Sequence, residues 1–311
     1  MSITSPVLLI VGPTAVGKTG LAVSLARQFD GEIINADSRQ VYRHMDIGTA
    51  KPSLHDQKEA PHHLLDILDP DQNFGLATFL SLAGEAVSEI LGRGRLPIVV
   101  GGTGQYIWAF VEGWEVPKVP PDTEFRDAKT AEAEQHGTDF VYQQLQEVEP
   151  DRAAQLDPRN LRRVIRALEV HHAQISRPKI VETASQALEG SLIIGLTMDR
   201  QQLYKRIDDR VDLMISQGFE EEVRFLAAQG YVPGTGALAG PGYRELGDYL
   251  AGSITLEEAV QRTKFQTHRL VRRQYNWFKP DDPRIRWLDG SLSDVERQAG
   301  RMVEKLLVKH G

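Results

Sequence analysis

Gly12-Pro13-Thr14-Ala15-Val16-Gly17-Lys18-Thr19 has the spacing G-x-x-x-x-G-K-[ST], which holds phosphate. The glycines let successive backbone N–H groups turn inward around an anion, Lys18 adds a full positive charge, and Thr19 offers a hydroxyl to Mg²⁺. Such a cradle binds linked phosphates without naming the molecule that carries them. ATP or GTP is the default occupant, usually accompanied by an Asp at the end of a later apolar strand that helps to hold the metal. Val99-Val100-Gly101-Gly102-Thr103-Gly104 is the later strand end, and it has no acid. The nearest strand-end carboxylate is Asp37, in Asn35-Ala36-Asp37-Ser38-Arg39-Gln40. There it can coordinate Mg²⁺ or take a proton from a nucleophile.

Two segments carry unbalanced positive charge. Arg159, Arg162, Arg163 and Arg166 fall on one face if the segment is helical, where like charges repel unless something anionic covers them. Arg262, Lys264, Arg269, Arg272, Arg273 and Lys279 form a second stretch, with no Asp or Glu between Ala259 and Pro280. Tyr275, Trp277 and Phe278 interleave aromatics, the last two reading as core rather than as base-stacking residues. His62-His63 and His171-His172 lack metal-ligand spacing and read as loop or helix-surface histidines.

These residues need a scaffold. Short apolar runs at 7–11, 32–35, 62–65, 97–100 and 191–196 read as strands buried in a parallel sheet, alternating with helical patterns at 17–29 and 74–91. That alternation predicts an α/β fold, a P-loop NTPase-like parallel sheet flanked by helices. After Trp114 comes the Pro-rich connector Val116-Pro117-Lys118-Val119-Pro120-Pro121. Beyond it 123–188 has helical periodicity and no convincing strand, an expected all-helical insertion over 114–189 between core parts at 1–113 and 190–311. Helical patterns at 200–217, 219–229, 243–250 and 256–278, a short strand at 285–288 and a terminal helix complete the expectation.

The chain has 311 residues, no cysteine, and a formal charge of −7 from 36 Lys and Arg against 43 Asp and Glu. That length fits two domains or one with a large insertion. Absence of cysteine excludes disulfides, thiolate metal sites and a Cys nucleophile. With no signal-like N-terminus and no long apolar run, a cytoplasmic protein without a membrane partner is expected. The net acidity argues against nucleic acid only if charge is summed over the whole chain.

Asp37 to Tyr42, Met45 to Pro52, Pro61 to Asp66 and Val100 to Tyr106 strongly resemble tRNA dimethylallyltransferases. The resemblance continues through Arg163 to Glu169, Arg206-Ile207-Asp208-Asp209-Arg210, Gly218-Phe219, Gly242 to Glu245 and Arg272 to Trp277. It covers nearly the whole chain, and it is to the bacterial form, without the Cys/His zinc finger of eukaryotic members. It implies that the cradle holds the diphosphate of dimethylallyl diphosphate rather than a nucleoside triphosphate. The implied reaction is attack of N6 of the adenine immediately 3′ of the anticodon on C1 of the allyl group, in tRNAs reading codons that begin with U.

The resemblance assigns the base to Asp37, a place near the attacking amine to Thr103, and the diphosphate clamp to Gly12 through Thr19 with Mg²⁺ and Arg210. Either Arg206 or Arg210 could reach inward by helical spacing alone; the family pattern favours Arg210. Contacts to the tRNA anticodon stem-loop are implied for Asp37, Ser38, Arg39, Gln40, Thr103 and Arg126. They are implied too for Arg162, Arg163, Val164, Ile165, Arg166, and for Ala239, Gly240, Pro241, Gly242, Tyr243 and Arg244. A last segment comprises Arg272, Arg273, Gln274, Tyr275, Asn276, Trp277, Phe278 and Lys279. Pro241 stands where the family pattern has an apolar residue. A monomer is expected. The competing readings are an adenylate isopentenyltransferase acting on free AMP, ADP or ATP, a P-loop kinase, and a noncatalytic RNA-binding module.

Overall fold

The computed structural model describes residues 6–117, 119, 121–176, 182–184, 188 and 190–310. Lys118 and Pro120 of the expected connector, and residues 177–181, 185–187 and 189 of the expected helical insertion, lie outside the described residues. The chain forms two compact units, one of residues 1–114 with 185–311 and one of residues 115–184.

The larger unit is built on a parallel sheet of six described strands in the order β3-β2-β4-β1-β7-β8. These are β1 (Leu8–Val11), β2 (Gly31–Asn35), β3 (His62–His63), β4 (Leu96–Gly101), β7 (Leu192–Thr197) and β8 (Ile285–Asp289). Every residue of β1, β2 and β4 is buried, which a parallel strand achieves only when helices cover both faces. Leu8 and Ile10 pack with Leu21 and Leu25 of α1 (Lys18–Gln28) and with Ala299 and Val303 of α13 (Val295–His310). Strand alternation turns Leu9 and Val11 to the opposite face. On β2 and β4 lies α3 (Leu76–Gly92), which also packs against α4 (Gly104–Glu112).

The register places Val11 opposite Gly101 on one side and Gly195 on the other, so the loops after β1, β4 and β7 emerge together. The chain leaves β1 toward β2 and returns on its other flank as β7. β1 is thus the topological switch point, beyond whose carboxyl end ligands of open α/β sheets bind.

A second apolar cluster positions the long loop after β2, joining Val41, Met45, Phe219, Val223, Tyr243 and Leu246. It ties that loop to α10 (Phe219–Ala228) and α11 (Tyr243–Leu250). Beside them α9 (Arg200–Ser216) packs against the long α12 (Leu256–Trp277). One short helix, α2 (Leu54–Glu59), interrupts the loop expected to be irregular; Ser53 and Asp56 cap it reciprocally, and none of its residues is buried. A helix without an apolar stripe leaves no periodic signal.

In the smaller unit α5 (Thr123–His136), α6 (Thr138–Val148), α7 (Pro150–Ala153) and α8 (Leu161–Ser176) enclose Ala133, Val141, Leu145, Val164, Ile165 and Leu168. It also carries a two-stranded antiparallel ribbon of β5 (Glu115–Pro117) and β6 (Glu182–Ala184), which helical periodicity did not anticipate. Three-residue strands are too short to show alternation.

Candidate active site

The phosphate loop runs directly from β1 into α1, as its motif predicts. Gly12 has φ 139°, and a Cβ there would lie 2.4 Å from the Leu196 carbonyl oxygen, so only glycine lets the loop pass β7. Gly17 precedes the helix in the left-handed region and supplies no capping side chain. The first N–H groups of α1 are thus left for an anion. Ala15 is also left-handed, at φ 65°, a strained state for an alanine.

The Lys18 ammonium is folded back onto the Pro13 carbonyl at 2.7 Å. Withdrawal from water lowers its pKa to about 8; Asp37 opposes that shift and Arg210 adds to it. The Thr19 hydroxyl has no protein partner among the described residues, which fits a hydroxyl ligand for a cation. No cluster of three or more His, Asp or Glu is placed to hold a metal among the described residues. A Mg²⁺ here would depend on substrate phosphate oxygens plus Thr19, a usual arrangement for this small, strongly hydrated ion.

Asp37 is held by its backbone. Buried Asn35 accepts the Asp37 N–H at 3.0 Å and donates to the carbonyls of Asp37 and Leu64 at 3.1 and 3.0 Å. Asp37 Oδ1 accepts the Arg39 N–H at 2.9 Å, while Oδ2 has no partner among the described residues. Thr103 stands at the start of α4 but makes no side-chain cap. Its hydroxyl accepts the Ser38 N–H at 3.3 Å instead, joining the turn after β4 to the loop that carries Asp37.

These groups border a cavity of about 440 Å³, reaching the phosphate loop at Thr14 and Ala15 and bounded by Asp37, Thr103, Arg210 and Arg273. Its apolar wall includes Ile207, Val211, Met214, Phe219 and Trp277. The structure separates the two candidates on α9: Arg206 is exposed, and Arg210 faces the cavity. The acids that might have neutralised Arg210 lie against other groups: Asp209 pairs with Lys205 and Asp212 with Lys264, and Asp208 lies 2.9 Å from His268. Burial, and secondarily Arg206, lower the pKa of Arg210, an electrostatic cost that an anion in the cavity would relieve.

Sequence reasoning missed Glu222. Its carboxylate accepts N–H groups from Asp46, Ile47 and Gly48 at 2.8, 2.7 and 3.1 Å, together with the Tyr243 hydroxyl at 2.8 Å. It thereby fixes a loop whose Gly48, Thr49 and Ala50 line the cavity. An acid in a Glu-rich helix start carries no signal of such a role.

Several expected RNA-contact side chains are hydrogen-bonded to other parts of the protein or buried. Arg39 donates to the carbonyls of Gly236 and Ala237, both at 2.7 Å, and Gln40 to those of Thr49 and Ala50. Arg244 donates to the Gly234 carbonyl, and the Tyr243 ring is buried. Gly242 is enclosed and gives its N–H to Glu245, whereas Ala239 is exposed and Gly240 and Pro241 line the cavity. Tyr275 shares a hydrogen bond with Thr197, Gln274 points into the core, and Phe278 is buried as expected. Trp277 remains 37% exposed. Arg272, Arg273, Asn276 and Lys279 are exposed, and none of the three cations makes an ion pair with the described residues.

In the smaller unit the arginine face needs correction. Arg159 precedes α8 and pairs with Asp157 at 3.0 Å. Arg126 and Arg166 both turn onto buried Glu169, because a carboxylate removed from water requires cationic partners. Val164 and Ile165 are core residues. Arg162 and Arg163 remain exposed and unpaired among the described residues. The histidines are structural: His63 pairs with Glu32, His62 with the Ala60 carbonyl, His171 with Glu149, and His172 stacks on Phe125.

A phosphate-type loop at a switch point, opening on an apolar-walled cavity beside a carboxylate oxygen with no donor among the described residues, defines a class: α/β group-transfer proteins. The comparisons narrow it. Residues 40–281 match the family model described as IPP transferase, and residues 5–65 match isopentenyl transferase. A tRNA dimethylallyltransferase of Roseiflexus sp. (strain RS-1) is 46% identical, covering 96% of this chain and 98% of its own. One from Thermomicrobium roseum is 44% identical over 99% and 93%. Among solved structures, the tRNA isopentenylpyrophosphate transferase of Bacillus halodurans is 37% identical with a TM-score of 0.73, covering 99% of this chain and 98% of that one. A eukaryotic dimethylallyltransferase acting on tRNA is 27% identical with a TM-score of 0.78, covering 99% and 81%. The chain belongs to the IPP transferase family and is a prenyltransferase.

Proposed function

We propose that the protein transfers a dimethylallyl group from dimethylallyl diphosphate to N6 of the adenine immediately 3′ of the anticodon, in tRNAs reading codons that begin with U. The carrying observation is the pairing of an unpaired Arg210 and a strand-end phosphate loop with Asp37, whose Oδ2 is unoccupied by any protein donor among the described residues. A P-loop kinase usually carries an acid at the end of a later strand to hold its metal, and the turn after β4 has none.

An adenine amine is a weak nucleophile because its lone pair is delocalised into the ring. Asp37 Oδ2 takes the N6 proton as the N6–C1 bond forms. The C1–O bond breaks, and the electron pair leaves with diphosphate. Arg210, Lys18 and the N–H groups at the start of α1 stabilise the charge that grows there. Mg²⁺, held through Thr19 and phosphate oxygens, would supply further positive charge at the leaving group. The Ser38-to-Thr103 bond keeps the base at a fixed place relative to the turn after β4, and the apolar wall excludes water that would otherwise compete for C1.

N6 of a stacked base could not reach an enclosed C1, so the adenine is flipped out of the loop, at an unstacking cost of a few kcal/mol recovered from pocket contacts. Exposed Arg272, Arg273 and Lys279 in one unit, and Arg162 and Arg163 in the other, supply cations for phosphate contacts. A free mononucleotide needs neither set, which favours tRNA over AMP, ADP or ATP as acceptor. We place the protein in the cytoplasm as a monomer; among the described residues no helix is long and apolar enough to cross a membrane.

Incubating the protein with Mg²⁺, labelled dimethylallyl diphosphate, unmodified tRNA and AMP tests the reading. Label enters the adenine 3′ of the anticodon. Label in AMP but not in tRNA refutes it, and turnover of ATP without prenyl transfer would establish the kinase.

A further inference from the structure

The segment assigned to RNA carries a buried polar side chain. Gln274, three residues from the end of α12, is only 7% exposed. Its Oε1 accepts the Thr14 N–H at 2.9 Å, and its Nε2 donates to the Gly102 carbonyl at 3.2 Å. A single amide therefore joins the phosphate loop after β1 to the turn after β4. The fit depends on Gly102 as well, since a Cβ there would come within 2.3 Å of Nε2.

The chemistry requires glutamine. One partner is a donor and the other an acceptor, so only a terminal amide satisfies both; a carboxylate would set an oxygen against the Gly102 carbonyl. Neither backbone group belongs to a strand ladder or a helix, so each would lose its buried partner with the side chain. Thr14 also immediately precedes Ala15, whose positive φ persists only where the surroundings over-determine it. Anchoring the Thr14 peptide supplies that constraint at the place where the cradle opens into the cavity.

We propose that Gln274 is a positioning residue for the diphosphate cradle and not a tRNA contact. It holds the Thr14–Ala15 peptide so that the following N–H groups converge on the anion. This rests on the reading of the loop as a diphosphate site, and that premise is separately testable: a wild-type protein that fails to bind inorganic diphosphate removes the premise itself.

The test compares Gln274→Glu, Gln274→Leu and Gly102→Ala with the parent protein, each checked for an unchanged far-UV circular dichroism spectrum. Binding of inorganic diphosphate with Mg²⁺ is measured by calorimetry, and binding of unmodified tRNA by filter retention without allyl donor. Each variant weakens diphosphate binding, and raises the KM for dimethylallyl diphosphate, by about tenfold, the effect of losing one buried hydrogen bond. Binding of tRNA stays within about twofold. Because Gly102→Ala displaces the same amide from the opposite side, the double variant with Gln274→Leu is no worse than the poorer single one. Weakened tRNA binding with unchanged diphosphate affinity would make Gln274 an RNA contact. Multiplying effects in the double variant would mean that the two residues act separately; either result overturns the proposal. If Gln274→Leu does not fold, Gln274→Glu and Gly102→Ala decide the question alone.

Discussion

The depressed pKa of Lys18 makes diphosphate binding depend on pH in a calculable way. In the ligand-free structure withdrawal from water favours neutral Lys18, Asp37 opposes this, Arg210 reinforces it, and the pKa settles at about 8. A bound diphosphate places negative charge beside the ammonium and raises the pKa again. The ligand therefore binds the protonated form, and the protonated fraction scales the apparent affinity. With the pKa of the free protein given above, this fraction falls about tenfold between about pH 7 and about pH 9. An alkyl diphosphate ester is already fully ionised there, so its affinity should fall by that factor and binding should take up close to one proton at the upper end. Calorimetry in two buffers of different ionisation heat reads both quantities. Lys18→Met should bind weakly at every pH with no proton uptake. An affinity that is flat across this range in the parent protein, or that falls equally in Lys18→Met, would refute the argument. The same shift has a stability sign. The unfolded chain holds this proton to higher pH than the fold does, so Lys18 favours the fold above its unfolded pKa, and that contribution disappears as pH falls through about 8.

Asp37→Asn keeps an acceptor for the Arg39 N–H but removes the base, so turnover should fall by about a hundredfold or more with tRNA affinity spared; equal losses in both would make Asp37 a recognition residue. Glu222→Ala strips the partner from three consecutive N–H groups and the Tyr243 hydroxyl, and thermal unfolding should show a loss of about 2 to 4 kcal/mol; a change below about 0.5 kcal/mol would show that the loop holds itself. Arg163→Ala should weaken tRNA binding and flatten its logarithmic salt dependence by about one unit. An unchanged slope would remove Arg163 from the phosphate contacts.

Much of the site was legible because local spacing encodes it. Eight residues from Gly12 to Thr19 specify a strand, an anion-binding turn and a helix start, and each part relies on backbone geometry within a few residues. Asp37 was legible for a similar reason, lying directly beyond a buried strand. The charge count was misleading as a whole-chain sum. The arginines at 162, 163, 272 and 273 are exposed without ion-pair partners among the described residues, whereas carboxylates such as Glu169 and Glu32 are consumed in pairs.

The cradle, the alternation of strands and helices, and the family were readable from spacing along the chain. Which polar groups remain free was settled only by packing. Spacing could not choose between Arg206 and Arg210; packing set Asp212 against Lys264 and Asp208 beside His268, both of α12, and left Arg210 at the cavity with no ion pair among the described residues. It could not tell that Arg166 serves buried Glu169, that Gln274 turns away from solvent, or that Glu222 holds a loop 174 residues earlier. A hydrogen bond or ion pair between distant segments depends on which faces the packing brings together, and charge or polarity at one position carries no record of its partner.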